Sequence, residues 1–447
     1  MGTATGICPV PRSVMTVMAI GSLLAVGLLG ALAPTDASAW TGPRLITTSP
    51  GDIVDPALAS GSTGITALSF TRVPTGGARR IEVAIKGPRK TRFGSPTLVS
   101  APALEADESK VAVDPEGRVT VAWIGEPNAS SPVFVVMVAT KAPSARRFSR
   151  PVRLSPLGMN DDAAGLSISA GPKGRTVVAW AVENPAGDVI IQSARRKDGR
   201  SAFVRPSASQ ELSRPASRPR DTGAAGITAL VTGDGSYNYL WTGTGSLEYL
   251  RSKGRVTRRQ TVSSGDSERE GVMAVARSGA ATIAWTNGQS DVRIARRGSV
   301  RARFSPRGAV STDASGLGIG MARDGTTTIV YQSPLASGWQ PVAITRRPSQ
   351  PLFTSERFIS PLGGYEPRVA VSPGGKTRVV FGPSESFLAP GVVERGPRAS
   401  SFGSPGALSS PSSTNGVFVA AGGDGWGTAA WVRSDFGSQI LYSVDRP

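Results

Sequence analysis

"GRVTVAW", residues 117–123, holds the reading of the whole chain. A glycine opens it, a short β-prone alternation follows, and an aromatic closes it six residues later. The same arrangement recurs as GITALSF (64–70), GRTVVAW (174–180), GSYNYLW (235–241), GAATIAW (279–285), GTTTIVY (325–331), GKTRVVF (375–381) and GWGTAAW (425–431). Eight copies, with aromatics 44 to 61 residues apart, make this a repeat protein with a period near 50 residues.

Outward from each glycine the unit reads as four strands. Strand A is a small-residue run such as KVAV (110–113), and strand B follows a turn such as DPEG (114–117) and ends in the aromatic. Strand C is typified by VIIQSA (189–194), and strand D is the F-x-x-P segment seen in FGSPTLVS (93–100) and FSRPVRLS (148–155). Glycine in the A–B turn supplies positive φ without steric cost, and proline in strand D suits an outermost strand whose outward N–H needs no partner. Four-stranded antiparallel units repeated around an axis predict an all-β fold, a β-propeller of eight blades. An open stack or two smaller β domains are the alternatives.

The last unit lacks strand D, and WTGPRLITT (40–48) supplies it. Trp40 takes the place of Phe93, Pro43 that of Pro96 and Leu45 that of Leu98, so the N-terminal strand is expected to complete the C-terminal blade and leave no open sheet edge.

Before Trp40 lies a leader: Arg12, an uncharged apolar run from Val14 to Ala33, then Ala37-Ser38-Ala39. That layout predicts a secretory signal peptide over 1–39, cleaved before Trp40, and an extracellular or envelope-associated protein formed by one propeller domain over 40–447. An uncleaved anchor is the alternative, and no later segment is long and apolar enough to span a bilayer. The only cysteine, Cys8, is in the leader, and histidine is absent. Disulfides, the usual zinc sites and Ser-His or Cys-His nucleophile pairs are thereby excluded, and neither a cofactor nor a metal is expected.

The net charge is +18. In an antiparallel blade the A–B and C–D turns share one face of the disc, while the B–C and D–A loops share the other. Half of the basic residues fall in C–D turns, and most acids fall on the opposite loops. This predicts a basic rim, with Arg146, Arg147, Arg195, Arg196, Arg296 and Arg297 as polyanion-binding candidates through bidentate contacts, or as copies of one soluble hairpin. On the acidic face Trp339 is the candidate for sugar stacking, with Tyr365, Glu126, Glu183 and Asp188 as hydrogen-bonding neighbours. GGKT (374–377) is an A–B turn rather than a phosphate loop, since Ala370 stands where that motif needs glycine.

The Gly-to-aromatic signature and the leader together resemble secreted bacterial propellers of the sialidase-like superfamily, over nearly all of the chain after the leader. The resemblance is one of architecture. Enzymes of that superfamily carry S-x-D-x-G-x-T-W boxes, an arginine triad and a Tyr/Glu nucleophile pair, and here the glycine stands six rather than three residues before the aromatic. None of their catalytic residues is carried over, and fold alone does not license an activity. The leading expectation is a secreted, non-catalytic, monomeric propeller that binds a carbohydrate, cell-envelope polymer or protein. The alternatives are a glycoside hydrolase or lyase using paired carboxylates such as Glu126, Glu183, Asp188 and Glu248, and an envelope protein holding anionic wall polymers on its arginines. Nucleic acid is not an expected partner, because neither a stacking platform nor a major-groove helix is visible.

Overall fold

The computed structural model describes residues 40–128, 134–155, 162–183, 189–197, 202–204, 226–243, 245–254, 256–265, 268–335, 338–360, 363–383, 389–410, 414–423, 425–435 and 438–446. The predicted leader and Asp188 lie outside the described residues. Among the described residues, no helix is long and apolar enough to cross a membrane.

The strands form eight separate antiparallel sheets. Blade 1 has the order Asp52–Ser60, Thr66–Val73, Arg80–Lys86, Thr97–Leu98 from strand A to strand D, and blades 2 to 8 begin at Ala106, Asp162, Ile227, Gly271, Ser315, Tyr365 and Thr414. Each strand A packs against the strand A of the next blade, and the last, Thr414–Ala421, packs against the first. The chain is therefore an eight-bladed β-propeller with strand A innermost. In blade 3 the bridge Arg195↔Val204 stands at the place of strand D.

The glycine of the sequence signature has one structural cause. Gly64, Gly117, Gly174, Gly235, Gly279, Gly325, Gly375 and Gly425 occupy the A–B turns with φ between 71 and 92°, a region that L side chains enter at a cost. The aromatic has another. Phe70, Trp123, Trp180, Trp241, Trp285, Tyr331, Phe381 and Trp431 are all buried, none more than 4% exposed. Each packs into the blade before its own: Trp180 against Val136, Val138 and Leu154 of blade 2, and Phe70 against Ala430, Val432 and Leu441 of blade 8. The core is thus a ring of inter-blade seams, in which each buried aromatic contributes roughly 1.5–3 kcal/mol.

Closure follows the expected route. Arg44–Ser49 pairs with Ser438–Arg446 as the outer strand of blade 8, with Leu45 opposite Tyr442. Trp40 packs on the seam formed by Val417, Trp431 and Val444, as Phe93 does on the next seam. The Thr41 N–H donates to the Asp445 carbonyl at 2.8 Å, and the Asp445 N–H donates to Thr41 Oγ1 at 2.9 Å.

Candidate functional site

The aromatic candidates of the loop face lie together. Trp339 stands in the B–C hairpin of blade 6, opposite Pro334, and its carbonyl accepts the Gly364 N–H at 3.0 Å. That bond holds the connection into blade 7, whose strand A (Tyr365–Val371) begins with Tyr365 at 41% exposure. Trp339 is half-buried, and Tyr365 follows the Gly364 that the Trp339 carbonyl holds, at the outset of the next blade.

Polar groups continue from this pair toward the axis. Glu366 has a left-handed φ of 46° at a bulge in strand A, and its N–H donates to Gln332 Oε1 at 2.8 Å. Gln332 Nε2 in turn donates to Ser315 Oγ at 2.7 Å. The Arg368 guanidinium stands 3.6 Å from the Glu366 carboxylate. Burial raises the Glu270 carboxyl above the usual range, opposed by the backbone N–H groups of Leu317 and Gly316 and by the Arg368 charge.

The acidic candidates lie elsewhere. Glu126 is in blade 2 and Glu183 closes strand B of blade 3 (Thr176–Glu183), across an eight-membered ring from blades 6 and 7. The expectation that Trp339, Tyr365, Glu126 and Glu183 form one site is therefore corrected. The repeat places all of them on one face but does not bring them to one side of it. Glu126 is half-buried and accepts the Glu105 N–H at 3.3 Å. With Trp123, Glu105, Met137 and Pro151 it lines a cavity of about 30 Å³, room for about one water and not for a sugar ring. Glu248 is 9% exposed and engaged by Thr261 Oγ1 at 2.7 Å and Arg259 Nε at 3.2 Å.

A carboxylate pair that sequence reasoning did not single out sits on the innermost strands of blades 1 and 2. Asp55 and Glu108 occupy bulges with φ of 50 and 45°, each fifteen residues before its blade's aromatic. Glu108 Oε1 accepts the Leu166 N–H of blade 3 at 2.8 Å. Desolvation, and then the hydrogen-bonded Asp107 carboxylate, raise the Asp55 carboxyl above its ordinary value. Carboxyl groups in direct hydrogen bond are closer than the roughly 5–9.5 Å that glycoside cleavage requires. Tyr331 donates to Glu356 Oε1 at 2.5 Å, but its ring is fully buried and burial drives its hydroxyl pKa upward, opposite to the need of a nucleophile.

The predicted rim divides. Arg146 and Arg147 are exposed in the C–D turn of blade 2. Arg195 is half-buried, donating to Tyr239 Oη at 2.7 Å and Ser252 Oγ at 3.1 Å, and Arg296 is half-buried as well. Arg196 and Arg297 are not on the rim: they are 0% and 5% exposed. Each ends strand C opposite the first residue of strand B, Thr176 or Ala281, and its side chain enters the seam with the preceding blade. Arg196 donates to the Gly174 carbonyl at 2.9 Å, Thr176 Oγ1 at 2.6 Å and Thr120 Oγ1 of blade 2 at 3.3 Å, and burial lowers its pKa to about 10. Arg297 reaches Tyr249 Oη at 2.5 Å and Asn238 Oδ1 at 3.3 Å in blade 4.

No family model matches this chain, and no curated protein matches it. Among solved structures it is similar to a lectin of Burkholderia pseudomallei, with a TM-score of 0.53 at 12% identity over 82% of this chain and 100% of that one. It is also similar to the NanB sialidase of Streptococcus pneumoniae (0.41, 9% identity, 91% and 70% coverage) and to an ulvan lyase (0.48, 11%, 90% and 95%). At such identities the likeness extends to the fold, the β-propeller architecture that lectin and sialidase propellers share, and carries no activity with it.

Proposed function

We propose that this protein is a secreted, non-catalytic propeller that binds carbohydrate on the loop face of blades 6 and 7, with Trp339 and Tyr365 as the stacking surface. The observation that carries the reading is the Trp339 carbonyl bond to Gly364, which joins the hairpin bearing Trp339 to the residue before Tyr365 in the neighbouring blade. Aromatic faces pack on the C–H faces of a pyranose, and Glu366, Gln332 and Arg368 supply donors and acceptors for its hydroxyls. A rigid ring presenting such loops needs little ordering on binding. A binding role is favoured over a hydrolytic one because Glu248 is already engaged by Arg259 and Thr261, and Asp55 and Asp107 stand too close together.

The test is binding of residues 40–447 to an immobilised glycan panel. Trp339→Ala and Tyr365→Ala are each expected to weaken capture about tenfold, the equivalent of ~1.4 kcal/mol. Phe358→Ala, which removes an exposed aromatic from the outer strand of blade 6, is expected to leave it unchanged. Equal capture by all three variants, or release of new reducing ends from the captured glycan, would overturn the reading.

A further inference from the structure

Blades 4 and 5 differ from blades 1, 2, 6 and 7 at their outer edge. Strand D runs for nine residues in blade 4 (Val256–Ser264) and seven in blade 5 (Ser305–Ser311), against two residues in blades 1, 2, 6 and 7. Residues 249–265 carry five basic side chains and residues 292–312 carry six, with no Asp or Glu in either segment. Arg251 and Arg297 are buried, but Lys253, Arg258, Arg301, Arg303 and Arg307 are exposed.

The two edges are fastened together. Gln260 Nε2 donates to the Phe304 carbonyl and Gln260 Oε1 accepts the Phe304 N–H, each at 2.9 Å, so one side chain bridges both outer edges. Arg258 Nη1 reaches the Arg301 carbonyl at 3.5 Å. Lys253 shares Asp234 with Arg251, while Arg258, Arg301, Arg303 and Arg307 have no carboxylate partner among the described residues. Four exposed guanidiniums without a carboxylate partner among the described residues, carried on two outer edges fastened together, are an anion-binding arrangement.

We propose that this corner of blades 4 and 5 binds a linear acidic polysaccharide, with Arg258, Arg301, Arg303 and Arg307 pairing its carboxylate or sulfate groups. The aromatic rings of the two segments point inward: Tyr249 and Phe304 are buried against each other with centroids 4.8 Å apart, leaving no platform for nucleobases. Exposed hydroxyls lie among the arginines, Thr257, Ser299 and Ser305, which suit a polyhydroxylated chain. The site does not involve Trp339 or Tyr365 and stands or falls apart from them.

The test measures capture of residues 40–447 on polygalacturonate, dextran sulfate, neutral dextran, polyglutamate and duplex DNA at low and high salt. The expected result is capture on polygalacturonate or dextran sulfate, whichever group the arginines prefer, that is lost at high salt and absent on dextran. The variant R258Q/R301Q/R303Q/R307Q is expected to lose about tenfold or more in affinity. The control R89Q/K90Q/R92Q/R150Q removes the same charge from exposed positions on blades 1 and 2 and is expected to change it less than about threefold. Trp339→Ala is expected to bind the acidic polymers normally. Thermal unfolding of both quadruple variants verifies that they fold, and R258K/R301K/R303K/R307K, which keeps the charge, is expected to bind at an intermediate level. Equal losses in the two glutamine variants, or equal capture of polyglutamate or DNA, would show an effect of net charge and overturn the proposal.

Discussion

The seam between blades 8 and 1 and the seam between blades 2 and 3 bury the same kind of group at the same register and satisfy it by different chemistry. Lys86 and Arg196 each end strand C, face the preceding blade and lie under a ring of their own strand D region, Phe93 at 5.5 Å and Phe203 at 5.3 Å. Arg297 under Phe304 and Arg395 under Phe402 repeat the arrangement at the seams between blades 4 and 5 and between blades 6 and 7. Across those three seams the hydrogen-bond partners are neutral oxygens, Thr120, Asn238 with Tyr249, and Thr328, while Asp114, Asp234 and Asp324 of the preceding blades act on the cation through their charge alone. Lys86 instead meets a carboxylate, Asp445, which also accepts from Thr428 Oγ1 at 2.7 Å. Asp445 belongs to strand C of blade 8, which is joined to its own outer strand by hydrogen bonds and packing but by no covalent C–D turn. Where the covalent chain does not hold a blade together, a fully buried ion pair ties that blade to its neighbour.

The largest effect should come from breaking that pair. Asp445→Asn leaves Lys86 buried without its counter-charge and is expected to cost about 3–5 kcal/mol in urea unfolding, whereas Lys86→Met with Asp445→Leu should restore most of it. A loss no greater than that of an internal seam would end the distinction. Arg196→Met removes hydrogen bonds to three neutral oxygens but also relieves the desolvation that depresses the guanidinium, so a smaller cost of about 1–2 kcal/mol is expected by the same measurement. The smallest effect is reserved for the strand itself. Thr41→Val deletes only the acceptor for the Asp445 N–H, and about 1 kcal/mol should be lost. If Thr41→Val instead cost as much as Asp445→Asn, closure would rest on the strand and not on the ion pair.

Much of this fold was legible because its signals are local. The eight glycines are required by a turn of a few residues, and the eight aromatics report burial wherever the neighbouring blade lies. Trp40, Pro43 and Leu45 could be matched to Phe93, Pro96 and Leu98 because copies of one unit share a pattern. The site was less legible. Counting along an antiparallel blade assigns a loop to a face of the disc, but Glu126 and Trp339 share a face and lie across the ring from each other. Arg196 and Arg147 both flank C–D turns, yet one enters a seam and the other meets solvent. A signal for the buried cations was present: the second residue of strand B is Thr120, Asn238, Thr328 or Thr428 in even blades, the first three bonded to the next blade's arginine and the last to the Asp445 carboxylate that meets Lys86. It has a period of two blades, twice the spacing from which the repeat was recognised.

The amino-acid sequence alone determined the repeat, its eight copies, the strand order within each and the strand that completes the ring, because turn geometry and aromatic burial are demands of short segments. Only the tertiary structure decided which arginines are surface and which are seam, and which loops of one face come together. Those choices depend on the neighbouring blade, through the register that directs a side chain to one side of its sheet and through the oxygen or carboxylate that meets it there.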